Sequence, residues 1–138
     1  RLGKGLVAAI HGPLFQDYYL GHYPRIRRLI GELLGRMGVD RLATLEAPPR
    51  VELVLRRRGD ALVANLINRG SGEMLNPRRV IVEELPPVHG IVMRVRREHP
   101  PSRVQVVPGD TPSRWAYESG LLTVTLPILE IHCAVVIE

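Results

Sequence analysis

From Arg50 onward the chain alternates apolar and polar residues in short runs broken by turn signals. Val51-Glu52-Leu53-Val54-Leu55-Arg56 passes through Arg57-Arg58-Gly59-Asp60 into Ala61-Leu62-Val63-Ala64-Asn65-Leu66-Ile67-Asn68. Near the end, Gly120-Leu121-Leu122-Thr123-Val124-Thr125-Leu126 is followed by Glu130-Ile131-His132-Cys133-Ala134-Val135-Val136-Ile137-Glu138. A period of two is that of a strand with one buried face. Arg69-Gly70-Ser71-Gly72, Pro86-Pro87, His99-Pro100-Pro101, Pro108-Gly109-Asp110 and Ser119-Gly120 supply the breaks. The pattern predicts strands at 50–57, 61–68, 78–84, 90–97, 103–107, 113–117, 120–126 and 130–137. Strands so short and closely spaced pair antiparallel, so the expected fold is mainly β, an antiparallel sandwich of about 7–8 strands. Its inward face is expected to take Val51, Leu53, Leu55, Leu62, Ala64, Leu66, Val104, Val106, Leu122, Val124, Leu126, Ile131, Cys133, Val135 and Ile137.

Before the sandwich the pattern changes. Leu6-Val7-Ala8-Ala9-Ile10 is a continuous apolar run, suited to a strand covered on both faces in a parallel sheet, and His11-Gly12-Pro13 ends it. Asp17-Tyr18-Tyr19-Leu20-Gly21-His22-Tyr23 reads as a polar-aromatic loop. Pro24 stands where a first helical residue would. Ile26, Leu29, Ile30, Leu33, Leu34 and Met37 then recur at helical spacing, with Arg25, Arg28, Glu32 and Arg36 on the other side and Gly38 as the terminating residue. The sandwich is thus preceded by one strand and one amphipathic helix. Such a pair cannot by itself cover a two-sided strand. Residues 1–47 are therefore expected to be the last β-α unit of an α/β domain, and 48–138 the sandwich, joined at Pro48-Pro49. The alternative is that the helix packs directly on the sandwich. The opening at Arg1 reads as a segment cut from a longer protein, so the lack of a signal pattern leaves the compartment open. A cytoplasmic setting is the working expectation.

Composition narrows the chemistry. The chain of 138 residues is 45% hydrophobic, enough for a real core, and carries a formal charge of +5. The cations are 18 Arg and one Lys, spread over the helix, a hairpin and several strands. With one Phe and one Trp, the chain offers few aromatics for base stacking. A solvated Arg-rich surface is favoured over a polyanion or nucleic-acid binder. No apolar run reaches the roughly 20 residues of a membrane helix.

No catalytic constellation emerges from the residues. No two of the five histidines stand at the helical spacing of a metal pair, and a single cysteine excludes an internal disulfide or a cysteine zinc cluster. We expect no metal and no cofactor. Cys133, mid-strand, reads as a small core residue. Glu83 and Glu84 are adjacent in a predicted strand and point to opposite faces, so they are no acid/base pair. His11, Asp17, Tyr18 and His22 are read first as loop and domain-contact residues and second as lining a cleft. Tyr18, His22, Leu29 and Leu33 are the candidate domain-interface residues. Trp115 and Tyr117, two apart on one strand face, are the candidate carbohydrate platform, with a core role for Trp115 as the competing reading.

One family resemblance spans most of the chain. It is carried by Gly3-Lys4-Gly5-Leu6-Val7-Ala8-Ala9-Ile10, by Tyr18 and by His22-Tyr23-Pro24-Arg25-Ile26-Arg27-Arg28-Leu29-Ile30. It continues through Glu46-Ala47-Pro48-Pro49-Arg50-Val51-Glu52, Ala61 to Asn68, Leu121 to Leu126, and the strand that ends at Glu138. In these blocks the chain resembles the C-terminal region of bacterial glycoside-hydrolase-like proteins. Those proteins carry a catalytic barrel, a glutamine-amidotransferase-like domain of the beta-galactosidase trimerisation type, and a terminal β-domain. The resemblance implies that 1–47 closes the amidotransferase-like domain and that the catalytic carboxylates belong to the barrel. No residue here inherits a catalytic role. The implied partners are the rest of the parent chain and, through it, an oligomer. The segment Gly72-Glu73-Met74-Leu75-Asn76-Pro77 carries no sugar-site motif. The expected function is that of a non-catalytic accessory region of a glycoside-hydrolase-like protein, with a carbohydrate-binding sandwich or a basic polyanion binder as alternatives.

Overall fold

A computed structural model describes residues 5–21, 23–70, 84–109 and 113–138. The chain divides into two compact units, Arg1–Arg41 and Leu42–Glu138.

The first unit holds two helices, α1 (Leu14–Gly21) and α2 (Pro24–Arg36). α2 follows the predicted stripe. Pro24 opens it, and Gly38, at φ 70°, closes it. The Gly38 amide donates to Gly35 O at 3.0 Å and the Val39 amide to Leu34 O at 3.2 Å, the paired bonds that end a helix in a left-handed residue. Two expectations fail here. Residues 6–10 form neither strand nor helix, because a short apolar run has no ladder unless a second strand lies beside it. The segment read as a loop from Asp17 is mostly α1, which begins just after Pro13 and carries Asp17 in its first turn, where the helix dipole favours a carboxylate. No residue of either helix is buried.

The second unit is the sandwich. Its strands are β1 (Ala43–Glu46), β2 (Val51–Arg58), β3 (Ala61–Asn68), β4 (Val88–Arg96), β5 (Val104–Val107), β6 (Arg114–Glu118), β7 (Leu121–Leu129) and β8 (His132–Ile137). One sheet runs β1-β4-β7-β6 and the other β2-β3-β8-β5, with every pairing antiparallel. Seven expected strands are present within three residues of their predicted ends. Of the expected strand at 78–84, residues 78–83 lie outside the described residues and Glu84 is in no strand. β1 is an addition that draws the unit boundary ahead of Pro48-Pro49 by pairing with β4.

Alternation fills the core between the sheets. Leu66, Met93, Leu122, Val124, Leu126 and Ile137 are fully buried, and Leu53, Leu55 and Val104 pack against them. Gly90 lets two inward residues stand three apart. Its φ of 66° re-aims the strand so that Val88 and Ile91 are both buried. By register Pro127 lies opposite, where it has no N–H to lose, and Leu126 and Leu129 on either side of it are buried as well. Ile131 corrects the predicted inward face: it is 66% exposed, because β8 starts at His132 and Ile131 belongs to the β7–β8 turn.

Among the described residues Asn68 is the buried polar residue of the core, and it ties the sheets together at one end. Its Nδ2 donates to Pro86 O at 2.9 Å and to Glu130 O at 2.7 Å, while its Oδ1 accepts from the Gly70 amide at 3.2 Å. Asn68 ends β3, in one sheet. Pro86 leads into β4 and Glu130 follows β7, both in the other.

Candidate functional site

The end of the sandwich opposite the Asn68 tie is a groove of about 940 Å³. Three chain segments build it, together with Leu42 just before β1. The β2–β3 turn contributes Arg57 and Asp60, the stretch leaving β4 contributes Arg97, Glu98 and His99, and the β6–β7 turn contributes Ser119. The last of these is a two-residue turn with positive φ at both positions, 49° at Ser119 and 83° at Gly120, the twist that joins tightly paired strands.

Strand phase explains how arginines come to line this end. On β2 the inward series Val51, Leu53, Leu55 continues to Arg57, which pairs with the half-buried Leu62. On β4 the series Ile91, Met93, Val95 continues to Arg97, whose amide donates to Gly120 O at 2.9 Å and extends the ladder by one residue. Arg57 and Arg97 thus occupy core-phase positions just beyond the last core layer. Both line the opening, and an arginine in such a position can cover apolar surface with its stem while its guanidinium stays in water. Sequence reading took these residues as part of a diffuse basic surface. The phase was visible in the strands, but the adjacency of the two strand ends is set by the sheet order.

Trp115 and Tyr117 share one face of β6, as their spacing requires. Their ladder partners, Val124 and Leu122, are fully buried, so this face turns toward the core at the open edge of its sheet. Tyr117 packs against the core, and its hydroxyl lies 3.1 Å from Arg97 O and 3.2 Å from Glu98 O, sharing its one proton between the two carbonyls. Trp115 is 44% exposed.

In the helical unit Tyr18 and Leu33 are half-buried and Leu29 is exposed, while His22 lies outside the described residues. Asp17, a loop and domain-contact residue on the first reading and a cleft residue on the second, borders a hollow of about 290 Å³ with Leu20, Tyr23 and Ile26. His11, His89, His99 and His132 are all exposed, and the His132 Nε2 lies 3.2 Å from Asn65 Oδ1 on the outer face of the second sheet. Among the described residues no group of three or more His, Cys, Asp or Glu stands together as a metal site. Cys133 is buried opposite Leu66, and burial pushes its thiol up to about 11. No helix of the described residues is long and apolar enough to cross a membrane.

No protein-family model matches the chain, and no curated protein matches it. Among solved structures, it is similar to alpha-L-fucosidase isoenzyme 2 from Paenibacillus thiaminolyticus, with a TM-score of 0.72 and 21% sequence identity. The match covers 91% of this chain and 19% of the fucosidase chain, so the chain spans about a fifth of that enzyme's length. At this identity the shared property is the fold alone.

Proposed function

We propose that the chain is a non-catalytic accessory region of a larger glycoside-hydrolase-like protein, in which the sandwich packs against the rest of that protein. The outer face of the β2-β3-β8-β5 sheet carries this reading. Strand phase sends Val54, Val63, Ile67, Ala134, Val136 and Val107 outward from this sheet. β3 and β8, its central strands, are therefore largely apolar on both faces, the pattern of strands covered on both sides. Among the described residues of the sandwich unit no further strand or helix lies over that face, on which Val54, Val63, Ile67, Ala134 and Val136 are half-buried and Val107 is exposed. The outer face of the other sheet is polar by contrast, with Thr44, Glu46, Arg94, Thr123, Thr125 and Arg114, and Arg94 Nη1 pairs with Glu46 Oε1 at 2.5 Å. A sandwich wet on both sides has no use for this asymmetry. The fold likeness to part of a much longer fucosidase supports the assignment of a covering layer to a neighbouring part of the parent.

Glutamates at Val63 and Val136 test it. On the separated chain, sedimentation velocity is expected to show concentration-dependent self-association that Val63→Glu with Val136→Glu abolishes, leaving the thermal midpoint within a few degrees. A wild-type chain that is monomeric at every concentration would remove the observation behind the reading.

A second reading, sugar binding at the β6 edge, is favoured by the exposure of Trp115. The Trp115 ring offers a stacking surface, whereas Tyr117 spends its hydroxyl on the backbone. Trp115 is the only tryptophan, so its emission reports the site directly. Titration with neutral oligosaccharides is expected to shift and saturate that emission. A flat response assigns Trp115 to edge packing alone.

A further inference from the structure

We infer that the groove at the hairpin end of the sandwich binds an acidic saccharide, a sugar bearing a carboxylate. Arg57 and Arg97 stand at core-phase positions on opposite sheets and converge on one opening. Neither forms an ion pair with any described residue, and the carboxylates Asp60 and Glu98 in the same lining form none either. Both arginines are anchored by ladder bonds, so their stems start from fixed points. A guanidinium fork matches a carboxylate in two parallel hydrogen bonds, which a hydroxyl cannot reproduce.

The rest of the lining separates the ligand classes. Arg96 also lines the groove but already has a partner, so Arg57 and Arg97 stand against the two carboxylates, Asp60 and Glu98, in formal balance. A polyphosphate or nucleic-acid backbone would meet Asp60 and Glu98 as repulsive groups. A neutral sugar leaves the guanidinium charge without use. A sugar acid uses both: its carboxylate faces the arginines, and its hydroxyls donate to Asp60 and Glu98 and exchange hydrogen bonds with Ser119. A volume of about 940 Å³ lies at the upper end of the range for small-ligand sites, which suits more than one sugar ring.

Isothermal titration of the whole chain with trigalacturonate tests this, with the neutral trisaccharide of galactose and inorganic sulfate as comparison ligands. Trigalacturonate is expected to bind at one site, at least about tenfold tighter than either comparison ligand. Arg57→Ala and Arg97→Ala are each expected to weaken it about tenfold or more. Arg57→Lys restores part of the loss, because a point charge replaces a fork. Arg25→Ala, on α2, leaves binding unchanged. Should Arg97→Ala fail to fold, Arg57→Ala decides, since Arg57 is exposed and its removal empties no core. Equal affinity for the neutral trisaccharide or for sulfate, unchanged binding by Arg57→Ala, or an equal loss on Arg25→Ala would each overturn the inference. The groove and the apolar outer face occupy different parts of the sandwich. A failed titration therefore leaves the sedimentation result standing, and a monomeric chain leaves the titration standing.

Discussion

Asn68→Asp is expected to destabilise the chain by about 3 kcal/mol or more at neutral pH, and by less near pH 4. The geometry sets both the size and the pH dependence. Asn68 is 4% exposed, and its Nδ2 satisfies Pro86 O and Glu130 O at once. A carboxylate in its place points an anionic oxygen at two carbonyl oxygens and leaves both without a donor. Desolvation and the facing carbonyls raise the folded-state pKa of such an aspartate above its unfolded value. A raised acid pKa means that the folded state holds its proton more tightly, so folding is favoured at low pH and disfavoured as pH rises. Once protonated, the side chain can donate to one of the two carbonyls and recover part of the tie. Urea unfolding of wild type and variant at the two pH values gives the deficit as a difference, in which the acid sensitivity common to both cancels. Asn68→Ala is the reference: it removes the donor without adding charge and is expected to lose about 2 kcal/mol at either pH. A deficit for Asn68→Asp no larger than that of alanine, or equal at both pH values, would show that the tie does not hold the sheets together.

Asn68 also illustrates what was legible from sequence. Its place at the end of an alternating run was clear, yet the two carbonyls it donates to lie 18 and 62 residues away, brought in by the sheet order. Local periodicity reveals which residues share a face, and it predicted most of the core from Val51 to Ile137. It fails where phase is broken or a partner is needed. Ile131 was placed inward by extending β8 backward through a turn, and the change of phase across that turn turns it outward. Residues 6–10 were read as a strand from apolarity alone, although a strand exists only with a neighbour to bond. α1 was hidden because Leu14 and Tyr18 are its only half-buried pair at helical spacing, set among exposed aromatics and glycine. β1 was too short to stand out beside the long stripe of α2. The groove lies between these cases. Arg57 and Arg97 each break an inward series in plain view, but their convergence depends on which ends of which sheets meet.

Cys133 gives the second large effect, at the alkaline end. Burial against the core raises its thiol from an ordinary 9.0 to about 11. In the unfolded chain the thiol ionises near its ordinary value, while in the folded chain it stays protonated until about 11. The native state therefore binds more protons across this window, and stability falls as pH rises through it. The contribution is fully present below about pH 9 and is lost as pH climbs through about 11. The slope is about 1.4 kcal/mol per pH unit, so the loss amounts to about 2 to 3 kcal/mol. The measurement is a comparison with Cys133→Ala, in which every pH effect common to the two proteins cancels. Below pH 8 the alanine variant is expected to be less stable by about 1 kcal/mol, the effect of a small cavity. Above pH 9 the wild type should weaken faster, so that the two urea midpoints converge and then cross. Parallel pH profiles for the two proteins would mean that the thiol is not held protonated by the core. A native-state thiol that reacts with a disulfide reagent as fast as a free cysteine would show the same, because the reactive species is the thiolate that the core excludes.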